Sequence, residues 1–137
     1  MIKTAKEFLN QGFRINERIN SKLEQVAMLR ELAVKTSNTL SDMPGNPNKG
    51  RSRVEETLTR IYDLEEDINK DIDRLVDLKK QIMDAIESVK DPQESLLLNL
   101  RYLNFLTWEE IAFEMGFTVR NVHMLHSKAL KNIKVPR

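Results

Sequence analysis

The sequence predicts an all-α protein in two parts, an antiparallel hairpin of two long helices followed by a compact three-helix domain. Three observations predict it. Val54, Ile61, Ile68, Leu75, Ile82 and Val89 recur every seven residues without a break, which is the spacing of a coiled-coil seam. With 4 Gly and 4 Pro in 137 residues and 31% charged side chains, the chain has little material for a turn-rich sheet. A cap, a short apolar face, a glycine and a second cap follow one another between Thr107 and Thr118, the pattern of two short helices joined by a tight turn.

In chain order, residues 3 to 38 read as one long helix. Phe8, Gly12, Ile15, Ile19, Leu23, Val26 and Ala33 fall on one stripe, widened by Leu29 and Leu32. Residues 39–53, roughly, read as a loop, because Pro44, Gly45, Asn46, Pro47, Asn48 and Gly50 do not continue a helix. The second helix carries the seven-spaced row, with Leu58, Leu64, Ile72, Leu78 and Ile86 at the neighbouring positions. At 1.5 Å per residue it is roughly 54 Å long, and such a stripe requires a partner helix. Residues 55–77 hold nine acids against three bases, whereas residues 3–35 hold seven bases against four acids. Opposite charge and a connecting loop favour pairing of the two helices with each other. Residues 1–90 are therefore expected to be a coiled-coil-like hairpin serving oligomerisation or interaction.

Asp91-Pro92-Gln93-Glu94 starts a new helix, with a cap, a proline at the first helical position and an acid in the first turn. The domain boundary is expected here, with residues 91–137 forming the second part. Leu96, Leu97, Leu100 and Leu103 are expected on a buried face. Trp108, Ile111, Met115, Phe117, Val122, Leu125 and Leu130 complete a small core. Thr107 and Glu110 have capping-box spacing, Gly116 supplies a left-handed residue, and Thr118 caps the last helix.

Two short helices of this kind form a helix-turn-helix, whose second helix enters a DNA major groove. Its base-facing candidates are Val119, Arg120, Asn121, His123 and Met124. Arg120 can bond guanine bidentately, Asn121 can pair with adenine, and Val119 can touch a thymine methyl. Thr107, Thr118, Ser127, Lys128, Lys131 and Lys134 are the candidates for phosphate. Net charge is only +1, but no acid follows Glu114, while Arg120, Lys128, Lys131, Lys134 and Arg137 give five positive charges. That local excess suits double-stranded DNA.

The same residues weigh against other classes. Without cysteine there is no disulfide framework or thiolate metal site, which fits a reducing cytoplasm. No apolar run exceeds four residues, so neither a membrane span nor a signal peptide is expected. His123 and His126 stand three apart without cysteine or a nearby acid, so no metal and no cofactor is expected. No catalytic constellation is visible, and the protein is not expected to be an enzyme. The pairs Asp67–Asp71 and Asp73–Asp77 read as a solvated helix face.

Residues 94–133 resemble region four of bacterial sigma factors, the part that reads the −35 promoter element. The matching residues are Leu100-Arg101-Tyr102, Leu106-Thr107-Trp108-Glu109-Glu110-Ile111-Ala112, Met115-Gly116-Phe117-Thr118 and Lys128-Ala129-Leu130-Lys131. The whole chain resembles a phage and prophage family, the ArpU-like transcriptional regulators. That likeness rests on Thr39-Leu40-Ser41-Asp42-Met43-Pro44 with Asn46-Pro47-Asn48, and on Asp71-Ile72-Asp73-Arg74-Leu75-Val76-Asp77-Leu78. It implies a phage-encoded, sequence-specific transcription regulator controlling phage or late genes, with Val119, Arg120, His123 and Met124 base-facing. The chain departs from sigma factors in residues 1–90, which are too charged and heptad-like to melt a promoter or bind the polymerase clamp. Two other readings stay open: the DNA-recognition subunit of a phage packaging machine, resembling a small terminase, and a protein whose sigma-like domain binds host RNA polymerase. A homodimer or higher homo-oligomer is expected, because one small helix-turn-helix contacts few base pairs and the second helix has apolar residues beyond a two-helix seam.

Overall fold

A computed structural model describes residues 4–40 and 47–136. They form five helices: α1 (Ala5–Leu40), α2 (Pro47–Glu87), α3 (Pro92–Tyr102), α4 (Trp108–Met115) and α5 (Val119–Asn132). The architecture is all-helical, a long hairpin of α1 and α2 and then the three-helix arrangement α3–α5. By internal packing the chain divides into two compact units. One is Glu17–Asp73; the other combines the residues up to Asn16 with those from Arg74 onward. Among the described residues no helix is long and apolar enough to cross a membrane.

In the unit Glu17–Asp73 the two helices run antiparallel, since Arg18 and Lys22 bond to Asp71 while the later Arg30 pairs with the earlier Glu65. The seam is a strict alternation of three and four residues. It takes Ile19, Lys22, Val26, Leu29, Ala33 and Thr36 from α1, and Val54, Thr57, Ile61, Leu64, Ile68 and Asp71 from α2, all buried or half-buried. Every other residue of 17–38 and 51–73 is exposed. The seven-spaced row of α2 is thus the seam the sequence predicts. Its second row is only partly the one expected: Leu64, Leu78 and Ile86 face inward, whereas Leu58 and Ile72 point to solvent, 52% and 41% exposed, and Thr57 and Asp71 take their places. On α1 Leu23 and Leu32 are likewise exposed, and Lys22 takes the seam position instead.

Asp71 corrects the expectation of a solvated acid. It is 3% exposed; Arg18 donates to it from Nε and Nη2 at 3.1 and 3.0 Å, and Lys22 from Nζ at 2.9 Å. The Lys22 hydrogen bond holds its carboxyl below the usual carboxylate range against the opposing effect of burial, and Arg18 adds to the lowering. A charge in the seam is tolerable when paired and hydrogen-bonded this fully.

The expected loop is also shorter than about 39–53, because residues 47–53 are helical. Pro47 begins α2 instead of blocking it: the first helical turn needs no amide hydrogen from proline, and the ring presets the helical φ. Ser41 to Asn46, which carry part of the likeness noted above, lie outside the described residues.

The other unit has one core. Phe8 and Leu9 of α1 and Leu78, Ile82, Ala85 and Ile86 of α2 are buried with Val89, Leu97, Leu98, Tyr102, Ile111, Ala112, Val122, Ala129 and Ile133. The helix-turn-helix therefore rests on the start of α1 and the end of α2 as well as on α3. Three leucines in succession cannot all face one side of a helix. Here Leu97 and Leu98 are fully buried and Leu96, expected inside, is 47% exposed. The buried face of α3 runs through Glu94, Leu97, Leu98 and Tyr102.

Candidate DNA-binding surface

Local chemistry sets each helix end around the turn. Asp91 caps α3, accepting from the amides of Gln93 at 2.8 Å and Glu94 at 3.2 Å. Thr107 caps α4 through a complete capping box: the Glu110 amide donates to its Oγ1 at 3.2 Å, and its own amide donates to the Glu110 carboxylate at 3.1 Å. Gly116 ends α4 in the left-handed conformation, φ 69°, which a side chain would resist. The Phe117 amide then donates to the Ala112 carbonyl at 2.9 Å. Thr118 caps α5 by accepting from the Asn121 amide at 3.1 Å.

Two side-chain groups hold the three helices together. The Arg101 guanidinium lies between the rings of Phe13 and Trp108, 4.4 and 4.3 Å from their centroids, and its Nη1 donates to the Leu106 carbonyl at 2.8 Å. That bond ties down a turn containing Phe105, whose φ of 57° is left-handed without being glycine. The Phe105 ring packs edge-on to Phe13, 5.0 Å away, and lies against buried Gly12. At the other end Asn132 donates to the buried Glu94 carboxylate at 2.7 Å, joining the end of α5 to α3.

His126 and His123 have different roles despite their spacing. His126 is buried, its Nε2 2.6 Å from the Tyr102 hydroxyl, with its ring also edge-on to Trp108. Burial, reinforced by the positive charges of Arg101, Lys6 and His123, pushes its pKa down to about 4. Burial pushes Tyr102 up to about 12. The phenol therefore keeps its proton and donates it, and the neutral imidazole accepts. His123 is exposed with its ring 4.6 Å from that of Trp108, which fixes it on the side of α5 nearest α4. Among the described residues no group of three or more His, Cys, Asp or Glu can hold a metal ion.

Opposite the buried Val122, His126 and Ala129, α5 presents one outward face. Arg120, Asn121, Met124, Ser127, Lys128 and Lys131 are all exposed at three- and four-residue spacing. This face brings together most of the residues predicted to meet DNA. Val119 departs from it: as the first residue of α5 it is half-buried and packs against the core. Thr107 and Thr118 are exposed and accept as caps, and a hydroxyl accepting at its oxygen still carries a hydrogen to donate to phosphate. Ser127 donates to the His123 carbonyl at 3.2 Å. Lys134 is exposed beyond the end of α5, its amide donating to Ser88 Oγ at 3.1 Å.

The two helices differ in electrostatics. The outward side of α4 carries Glu109, Glu110 and Glu114 around Phe113, which is 84% exposed. A polyanion is repelled there and attracted to the basic face of α5. The bond between Tyr102 and His126, which joins α3 to α5, and the seat of Arg101 between Phe13 and Trp108 are not legible in the sequence, although these residues are named there for other reasons. A Tyr followed 24 residues later by a His carries no local pattern.

Comparison with known proteins agrees with this geometry. Residues 91–135 match the family model Sigma-70, region 4, a non-catalytic DNA-binding module. The chain is also similar to the RNA polymerase sigma factor SigO of Bacillus subtilis (strain 168), 35% identical over 68 residues. That alignment covers 46% of this chain and 38% of the sigma factor, so the chain spans well under half the length of this relative. No solved structure matches.

Proposed function

We propose that the protein is a sequence-specific DNA-binding transcription regulator of the ArpU-like phage and prophage kind, controlling phage or late genes from the cytoplasm. The C-terminal part is a Sigma-70 region 4 DNA-binding domain, with a transcription-related role. The observation that carries the finer reading is the outward face of α5, where groups suited to bases (Arg120, Asn121) stand beside groups suited to phosphate (Lys128, Lys131) with no acid among them. In this reading Arg120, Asn121, His123 and Met124 meet base edges at the start of the helix, with Val119 at their margin. Thr107, Thr118, Lys128, Lys131 and Lys134 hold the phosphate backbone, and Ser127 joins them by turning its hydroxyl from the His123 carbonyl to a phosphate oxygen. In this reading the DNA-binding part begins at residue 91 and the hairpin of residues 1–90 serves self-association, while the start and end of that hairpin also pack into the core of the DNA-binding part. Two copies reading two half-sites gain the specificity that a single small module lacks.

RNA polymerase is the second proposed partner. The apolar and acidic side of α4, with Phe113 exposed among Glu109, Glu110 and Glu114, has the opposite charge to the basic face of α5 and is open to a protein surface.

Selection of binding sites from random duplexes with the full-length protein tests the reading. A defined motif is expected. Arg120→Ala should lose preference at one or two base pairs and weaken the selected site by about 1–3 kcal/mol, whereas Lys131→Ala should weaken all duplexes alike. Recovery of no motif, or equal and uniform effects of the two changes, would overturn the assignment of the base-facing side.

A further inference from the structure

Within the unit Glu17–Asp73, the large apolar side chains left outside the seam are not scattered evenly. Calling the seam positions a and d, Leu23 of α1 and Leu58 and Ile72 of α2 occupy e positions, and Val34 and Tyr62 occupy b positions. Positions b and e adjoin on a helix surface. In an antiparallel pair the e edges of both helices border the same side of the hairpin, as the pairing of Arg30 with Glu65, both at e, demonstrates. The five side chains therefore share one broad face, and they are between 41% and 65% exposed. The opposite edge is different, carrying Arg18, Gln25, Arg60 and Asp67 at its g positions with Leu32 among them.

We infer that this e/b face of the hairpin is where a second copy of the chain docks, giving a four-helix bundle of two hairpins. The inference rests on the self-association proposed above and names its surface. The argument for a second copy is self-complementarity. The bonds of Arg18 and Lys22 to Asp71 and of Arg30 to Glu65 bring Leu23 and Ile72 to within about one helical turn of each other on one side of the Arg30–Glu65 pair, and Val34 and Leu58 to within about one turn on the other, so an apolar band, a charged band and a second apolar band, each with groups from α1 and α2, follow one another along the face. An identical hairpin turned about a two-fold axis parallel to the helices lays α1 on the partner's α2. Each apolar band then meets the same apolar band. In the charged band, each arginine lies between two glutamates and each glutamate between two arginines. A rung of that kind fixes register and excludes shifted pairings, which place apolar side chains on charge. The seam already satisfies the hairpin, so the face has no role within one copy, and burying it removes an apolar patch from water.

Light scattering on the full-length protein at tens of micromolar, with helix content followed by circular dichroism, tests this. The native chain should have the mass of two copies. Leu58→Glu with Ile72→Glu should give the mass of one copy with helix content kept, because both positions are exposed in the single hairpin. Met28→Glu, exposed but off the face, should leave two copies. Arg30→Glu should raise the dissociation constant at least tenfold, and adding Glu65→Arg should restore it. This charge pair decides the matter if the doubly acidic variant loses helix. A native mass of one copy, on and off DNA, would refute self-association itself. Two copies persisting in both the apolar-face variant and Arg30→Glu would leave self-association standing and refute the face.

Discussion

His126 shows how a residue on the helix proposed to enter DNA can serve the core instead. Its imidazole accepts from Tyr102 in a site that disfavours the charged ring, holding its pKa at about 4. The consequence for stability has a definite sign. The unfolded chain takes up the proton near the ordinary value of 6.5, while the folded chain refuses it until about pH 4. The contribution of His126 is thus complete above pH 6.5 and lost progressively as pH falls to about 4, with a slope of up to about 1.4 kcal/mol per pH unit. His126→Phe keeps an aromatic ring beside Trp108 but cannot titrate. It should lower the melting temperature at pH 7, since the buried Tyr102 hydroxyl loses its partner, at about 1–3 kcal/mol. It should also flatten the fall in melting temperature between pH 6.5 and 5. A variant with the native slope would show that another group senses pH in that range. The histidine itself is visible in the sequence, but its partner is not, because Tyr102 and His126 meet only through the packing of α3 on α5.

At the scale of the element, α2 separates what periodicity can and cannot deliver. The row Val54, Ile61, Ile68 was legible because one hydrophobic residue every seven has a single structural reading. The second row was legible at Leu64, Leu78 and Ile86 but not throughout, because at positions 71 and 72 an aspartate adjoins an isoleucine and hydrophobicity favours the wrong one. The choice is made by Arg18 and Lys22 on the facing helix, which reach Asp71 only in this register. Helix caps were legible for the opposite reason: Thr107, Gly116 and Thr118 act through their own neighbouring amides and need no distant partner. A buried charge of this kind specifies register more than it stabilises. Asp71→Leu should therefore keep or raise the melting temperature while loosening the register. A disulfide engineered between α1 and α2 in the native register should then form in lower yield than in the parent. Asp71→Ala, which removes the bonds without filling the seam, should destabilise by about 1–3 kcal/mol. Unchanged disulfide yield in Asp71→Leu would show that the apolar seam alone sets the register.

For the whole molecule, the sequence made the five helices and the basic end visible, and residues 91–135 match a region-four model over the segment that holds the turn. What it did not make visible is how much of the chain the proposed DNA-binding surface depends on. Phe8, Leu9 and Phe13 lie far from α5 in sequence, yet Phe8 and Leu9 share its core and Phe13 packs on Tyr102 and Arg101. Long-range packing of that sort leaves no periodic trace. The full-length protein is accordingly the form in which to test the central claim, that the outward face of α5 holds duplex DNA. Affinity for a duplex should be measured against salt concentration for the native protein and for Lys128→Gln with Lys131→Gln. Log affinity should fall linearly with log salt, with a slope shallower by about 1 for each lysine removed. Binding that is absent or insensitive to salt, or a slope left unchanged by the double substitution, would contradict it.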